Sequence, residues 1–171
     1  MQVYGDLSRQ TPRGIAVLAA AYLDGCLQLG LQSRLCVSSA KLKHIFSPAG
    51  FLFTLSAKRD CAYAFGIIGH DTHHDIKLVG EIRNKFAHWT LASVNQGPPE
   101  ELSFDIKEIA EMCMSLKLPT RFHFRTQTGG VAKNPKDPSL RYIGTCAIVG
   151  GLIGRLRELS PAPTSLEESL P

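Results

Sequence analysis

The chain has no C-x-x-C pair, and its five cysteines (Cys26, Cys36, Cys61, Cys113, Cys146) stand singly and are odd in number. That spacing argues against a disulfide framework and against a structural zinc site. No basic segment runs into an apolar one at the start, so no secretory signal is expected. The uncharged run 142–154 is 13 residues long, too short to span a bilayer, and is predicted to be a buried core helix. P-loop, G-x-S-x-G, paired-carboxylate and helix-turn-helix signatures are all missing, which leaves nucleotide hydrolysis and acyl transfer without support. No internal repeat and no βαβ alternation is found. These absences lead us to expect a soluble, cytoplasmic protein with no cofactor, no metal and no membrane partner.

What is present suits one domain: 171 residues, 44% of them hydrophobic, enough to enclose a sizeable core. The net charge of +4 is mild but uneven. Lys117, Arg121, Arg125, Lys133, Lys136 and Arg141 face the single acid Asp137 in their stretch, while residues 100–111 hold five acids against Lys107. Such asymmetry suits either a polyanion or a plain solvated face.

Period and punctuation predict an all-α bundle of about five main helices. Thr11-Pro12 opens the first, with Ile15, Leu18, Tyr22, Cys26 and Leu29 on one face. A short helix is expected near residues 41–46. Thr54 or Ser56 caps the second main helix, striped by Ala57, Cys61, Ala64, Phe65 and Ile68 and ended by Gly69. Thr72 and Asp75 resemble a capping box opening the third. Ser103 caps the fourth, whose face is Ile106, Ile109, Cys113 and Leu116, and Pro119 stops it. Around 120–126 the period falls to 2, which predicts a short irregular or strand-like arm, followed by a flexible loop over residues 126–137 that contains Gly129-Gly130 and Pro135. Asp137-Pro138 starts the last helix, with Ile143, Cys146, Val149, Ile153 and Leu156 inward. Gly144, Gly150, Gly151 and Gly154 there suggest close contact with another helix, in the chain or across a dimer. Residues 1–159 form a single domain in this reading, and 160–171 are a disordered tail.

One stretch concentrates polar chemistry beside a packing seam: Glu81-Ile82-Arg83-Asn84-Lys85-Phe86-Ala87-His88-Trp89. Val79, Ile82, Phe86 and Trp89 form the seam, leaving Arg83, Asn84 and His88 off it. On an ideal helix Asn84 and His88 are neighbours, but Arg83 and His88 diverge by about 140°. They meet only if the helix loosens near its end or a second copy supplies one of them. Arg83 holding a phosphate, Asn84 orienting and His88 as general acid or base would suit metal-free phosphodiester chemistry, with RNA supplying its own 2′-hydroxyl nucleophile. The plainer reading pairs Arg83 with Glu81 or Asp75 and leaves His88 at a helix C-terminus.

Two further clusters carry alternatives. The run from His70 through Asp71, Thr72, His73, His74 and Asp75 has metal-ligand atoms, but the predicted helix start inside it breaks the required face, so a solvated cap is favoured. Arg121-Phe122-His123-Phe124-Arg125 interleaves rings and cations, as single-strand nucleic-acid binders do, and equally suits a lid with two rings packed. Lys85, Arg121, His123 and Arg125 are the candidate nucleic-acid-binding residues.

The segments Leu55-Ser56-Ala57-Lys58-Arg59-Asp60-Cys61-Ala62-Tyr63-Ala64-Phe65-Gly66-Ile67-Ile68, His74-Asp75-Ile76 and Ile82-Arg83-Asn84-Lys85-Phe86-Ala87-His88 resemble the central block of the mannitol operon repressor (MltR-like) family. Ala19-Ala20-Ala21-Tyr22-Leu23-Asp24 and Leu102-Ser103-Phe104 fit the same pattern, so the resemblance spans most of residues 14–156. It implies a helical, dimeric, transcription-associated repressor-like protein without a DNA-reading helix, whose partners are a second copy and a protein, RNA or DNA. The Arg-x4-His spacing of Arg83 and His88, with Asn84 after the arginine, is also similar to HEPN-type helical ribonucleases. There, a dimer brings two motifs into one cleft, which implies catalytic roles for Arg83, Asn84 and His88.

Overall fold

The computed structural model describes residues 10–93, 102–125 and 131–159, and the protein is an all-α bundle with one small hairpin. Its elements are α1 (Pro12–Gln32), α2 (Ser39–Ile45), α3 (Leu55–Ala64), α4 (His70–Ser93), α5 (Lys107–Met114), α6 (Leu118–Arg121), β1 (His123–Arg125), β2 (Val131–Lys133) and α7 (Pro138–Leu159). The expected strand-like arm is β1, paired antiparallel with β2 in the register His123 to Lys133; β2 corrects the expectation of loop over 126–137, because the backbone of 131–133 meets the hydrogen-bonding edge of β1. Residues 126–130 of the expected loop and the expected tail 160–171 lie outside the described residues, as do the side chains of Trp89, His123, Phe124 and Arg125.

Capping chemistry sets the starts of the early helices. Thr11, Ser38 and Thr54 accept hydrogen bonds from the amides of Gly14, Lys41 and Ala57, so each satisfies one otherwise orphaned N–H. α3 ends because Gly66 turns with φ +67, a conformation glycine reaches without a Cβ penalty. The helix therefore stops at Ala64, five residues before the expected Gly69. Its stripe also differs: Ala64 and Phe65 are exposed, while Lys58 and Ala62 are buried.

α1 pairs chiefly with α7. The face it buries is Ala16, Ala19, Ala20, Leu23, Leu27 and Leu31, while Leu18 and Leu29 are exposed, not inward as their spacing suggested. α1 is apolar almost all round, so periodicity cannot choose a face; the alanines win because they let α7 come close. One glycine on each helix serves the same approach. A Cβ on Gly30 would lie 2.7 Å from Ile153, and one on Gly150 would lie 2.5 Å from the Tyr22 hydroxyl. Gly151 and Gly154, expected to do likewise, face open space. By length and composition α1 could also cross a membrane, yet here it packs as the central helix of the bundle.

Two buried charges tie the remaining helices together. Asp75, fully buried on α4, accepts the backbone N–H of Lys117 at 2.9 Å on both carboxylate oxygens and that of Leu118 at 2.8 Å. It does not cap its own helix, which already begins at His70; it satisfies the amides opening α6. Arg141, 1% exposed on α7, donates to the carbonyls of Cys113 (2.9 Å), Met114 (3.1 Å) and Leu116, and to Asn134 Oδ1 (2.5 Å). The end of α5 thus points its orphan carbonyls at a guanidinium. Burial pulls the Arg141 pKa below its ordinary value, an effect that the nearby Asp75 charge opposes.

Tyr142 finishes the core, donating to the carbonyl of Ala16 at 2.8 Å between α1 and α4, with Phe104 tilted against both Tyr142 and Phe86. Cys113 and Cys146 are buried hydrophobes as expected; burial raises both thiols, that of Cys113 to about 12, so neither is a nucleophile near neutrality. Removing one buried charge while leaving its partners unsatisfied costs about 3–5 kcal/mol. Arg141→Met and Asp75→Ala should therefore each lower stability by that order in urea or thermal unfolding. A change below about 1 kcal/mol would mean that the turn is held by packing alone.

Candidate functional site

The Arg83–His88 stretch sits on α4, which is continuous α-helix from His70 to Ser93. The helix does not loosen at His88, so the route by which Arg83 and His88 could meet inside one chain is closed. Val79, Ile82 and Phe86 are each 0% exposed and form the seam as expected, and Ile76, also 0% exposed, extends it toward the start of the helix. Arg83 is half-buried at its edge, while Asn84, Ala87 and His88 are exposed.

None of Arg83, Asn84 and His88 makes a hydrogen bond or ion pair among the described residues. The two carboxylates considered for Arg83 are otherwise engaged: Asp75 with the amides of α6, and Glu81 with Lys77 at 3.8 Å. What Arg83 does reach is the field at Tyr142, where it opposes the strong upward shift that burial imposes on the phenol.

A residue that the sequence reading passed over completes this surface. Arg13, in the first turn of α1, donates from Nε to the carbonyl of Phe86 at 2.9 Å and from its terminal nitrogen to that of Ala87 at 3.5 Å. These carbonyls already serve the helix, so a cation takes their second lone pairs. No local pattern could have found this contact, because it joins residues 73 positions apart. Lys85 lies on the other side of the helix in an ion pair with Glu108 at 2.6 Å. The stretch therefore carries Arg13, Arg83 and Lys85 around two exposed polar side chains.

The histidine-rich run is spent on structure. His73 Nε2 lies 2.8 Å from Asp60 and its ring packs on Tyr63; His74 Nδ1 lies 3.0 Å from Asp75. Asp71 holds Lys117 at 3.2 Å and Arg121 at 2.6 Å. Among the described residues no three of His, Cys, Asp and Glu converge as metal ligands. The basic stretch 117–141 is correspondingly less available than its composition suggests: Lys117 and Arg121 are paired with Asp71, and Arg141 is buried. Arg121 is still 65% exposed, and an exposed pair of this kind is weak enough to yield to a phosphate. Lys58, 3% exposed, is paired with Asp24 at 2.6 Å and links α3 to α1.

No protein-family model matches the chain, and neither a curated protein nor a solved structure matches it.

Asn84→Ala and His88→Ala remove exposed groups with no partner among the described residues and should change stability by no more than about 0.5 kcal/mol; a larger loss in thermal unfolding would make them structural. Acid should act elsewhere. Asp60 is held below the usual carboxylate range first by its hydrogen bond with His73, and Asp71 first by its hydrogen bond with Lys117. A depressed carboxylate stabilises above its unfolded pKa, and that contribution is lost as pH falls through the folded value. The melting temperature should therefore fall below about pH 4, less steeply in Asp60→Asn/Asp71→Asn. An equal slope in both proteins would show that neither pair matters.

Proposed function

We propose that this chain is a transcription-associated regulator of the MltR-like type, acting as a homodimer through protein or nucleic-acid contacts without a DNA-reading helix. One observation carries the reading. Arg83, Asn84 and His88 make no hydrogen bond or ion pair with other described residues and stand on an unbroken helix, beside Arg13 and Lys85, so the stretch is built to be met by a partner. A binding face of this sort needs no convergence of Arg83 with His88, and the single chain provides none. Its cations suit phosphate or carboxylate, and Asn84 and His88 add donors and acceptors for orientation. The residues that carry the resemblance to MltR-like proteins include this stretch and also Asp24, Lys58 and Asp75, which tie α1, α3, α4 and α6 together.

The alternative is a metal-independent endoribonuclease of HEPN type. The same divergence favours it in one respect: exposed Asn84 and His88 leave room for a second α4, whose Arg83 could complete a cleft with His88 of the first copy. Catalysis on this reading is inseparable from a dimer across α4.

The two readings separate in one preparation. Purified protein incubated with mixed RNA in EDTA between about pH 6 and pH 9 should give no cleavage. It should give a salt-sensitive gel shift of RNA or DNA, with the salt slope falling by about 0.7–0.9 for each phosphate-contacting cation removed, as in Arg83→Ala or Lys85→Ala. A shift missing at low salt would assign the face to a protein. Cleavage lost in both His88→Ala and Arg83→Ala would overturn the regulator in favour of the nuclease.

A further inference from the structure

The turn between α2 and α3 displays large apolar side chains to solvent. Phe51 is 70% exposed and Phe53 is 49% exposed, while Leu52 between them is 2% exposed and plugs the core. Pro48 and Ala49 are exposed as well. The turn is tight: the amide of Gly50 donates to Ser47 O at 2.7 Å, that of Leu52 to Ile45 O at 3.0 Å and that of Phe53 to Gly50 O at 3.3 Å. Gly50 lies so close under the end of α2 that a Cβ there would sit 2.1 Å from the Ile45 carbonyl oxygen. With Leu52 anchored, the two rings are held outward and cannot fold back without breaking this turn.

The surroundings carry one sign of charge. From Gly25 to Arg59 the sequence contains no Asp or Glu, but it contains Arg34, Lys41, Lys43, Lys58 and Arg59. Lys58 and Arg59 pair with Asp24 and Asp60. Lys41, Lys43 and His44 are exposed on α2, the helix that leads into this turn, and Val37, just before α2 in the chain, is 42% exposed.

We infer that Pro48, Ala49, Phe51 and Phe53 insert into the interface of an anionic bilayer, with Lys41 and Lys43 meeting the lipid phosphates behind them. Rings held outward on a rigid turn lose little entropy on insertion, and cations set back from the tip fall at headgroup depth. Single-stranded nucleic acid is the weaker fit, because stacking platforms interleave cations with the rings and residues 47–54 contain no Lys or Arg. A tip of a few residues also escapes any hydropathy window, which detects spanning segments, so the sequence alone does not suggest this partner. The proposal is independent of the face on α4.

The test uses the full chain and two vesicle preparations, phosphatidylcholine alone and phosphatidylcholine with about a third phosphatidylglycerol. Co-sedimentation should show binding to the anionic vesicles that weakens with salt. Lys41→Gln/Lys43→Gln should reduce it by about tenfold or more and erase the difference between the two preparations. Phe51→Ser/Phe53→Ser should reduce it by about tenfold with the melting temperature unchanged, since both rings are solvent-facing. Phe51→Trp, which keeps the tip apolar, should show blue-shifted emission on anionic vesicles. No sedimentation at low salt, binding indifferent to Phe51 and Phe53, or an emission spectrum unmoved by vesicles would overturn the proposal. So would a single-stranded oligonucleotide whose binding depends on the two rings.

Discussion

The turn from Cys113 to Leu118 lies between two buried charges, and the bundle depends on how they divide its backbone. Its carbonyls point at the Arg141 guanidinium and its amides at the Asp75 carboxylate. An isolated charge in such a place would be expensive to bury, but each of these is met by several oriented peptide dipoles as well as by the field of the other. The arrangement closes one helix and opens the next, and it anchors both to α7 and α4. α5 and α6 are too short to be stable alone; the C-terminus of α5 and the N-terminus of α6 are satisfied by side chains from the two long helices.

This anchoring reaches the candidate site through α4. Asp75 fixes the first half of the helix against α6, while Arg13 and the packing of Phe86 on Phe104 fix the second half against α1 and the segment before α5. The polar stretch therefore rides on a rigid rod and not on a loop. Rigidity keeps Arg83 and His88 apart within the chain, and it also makes the face they flank reproducible for a partner. The same logic holds at the opposite end of α1, where the α2–α3 turn shows its phenylalanines because Leu52 and Gly50 leave it no slack.

Much of the fold was legible because it rests on local chemistry. Thr11, Thr54 and Pro138 mark helix starts by side-chain caps or a fixed φ, and the α4 seam of Val79, Ile82 and Phe86 shows a clean period against polar neighbours. α1 gave no such contrast: alanine and leucine both read as apolar, so the sequence could not tell which stripe α7 would cover. Asp75 and Arg141 were misread for a different reason. Each looks like a surface or capping group among its neighbours, and their partners, backbone groups 42–43 and 25–28 positions away, leave no trace in side-chain pattern. The candidate site was legible as a list of residues, since Arg83, Asn84 and His88 stand off an obvious seam. Its geometry was half legible, because 3.6 residues per turn gives the divergence, whereas the contribution of Arg13 depends on tertiary packing.

With Asp75 and Arg141 holding the 113–118 turn from both sides, α4 should move only when the whole bundle opens. Native-state hydrogen exchange of the Lys117 and Leu118 amides tests it most directly. The account predicts that both exchange only through global unfolding, with the same free energy and the same denaturant dependence as the α4 amides around Val79 and Ile82. Exchange of Lys117 and Leu118 by local opening, at much lower free energy and without denaturant dependence, would contradict it.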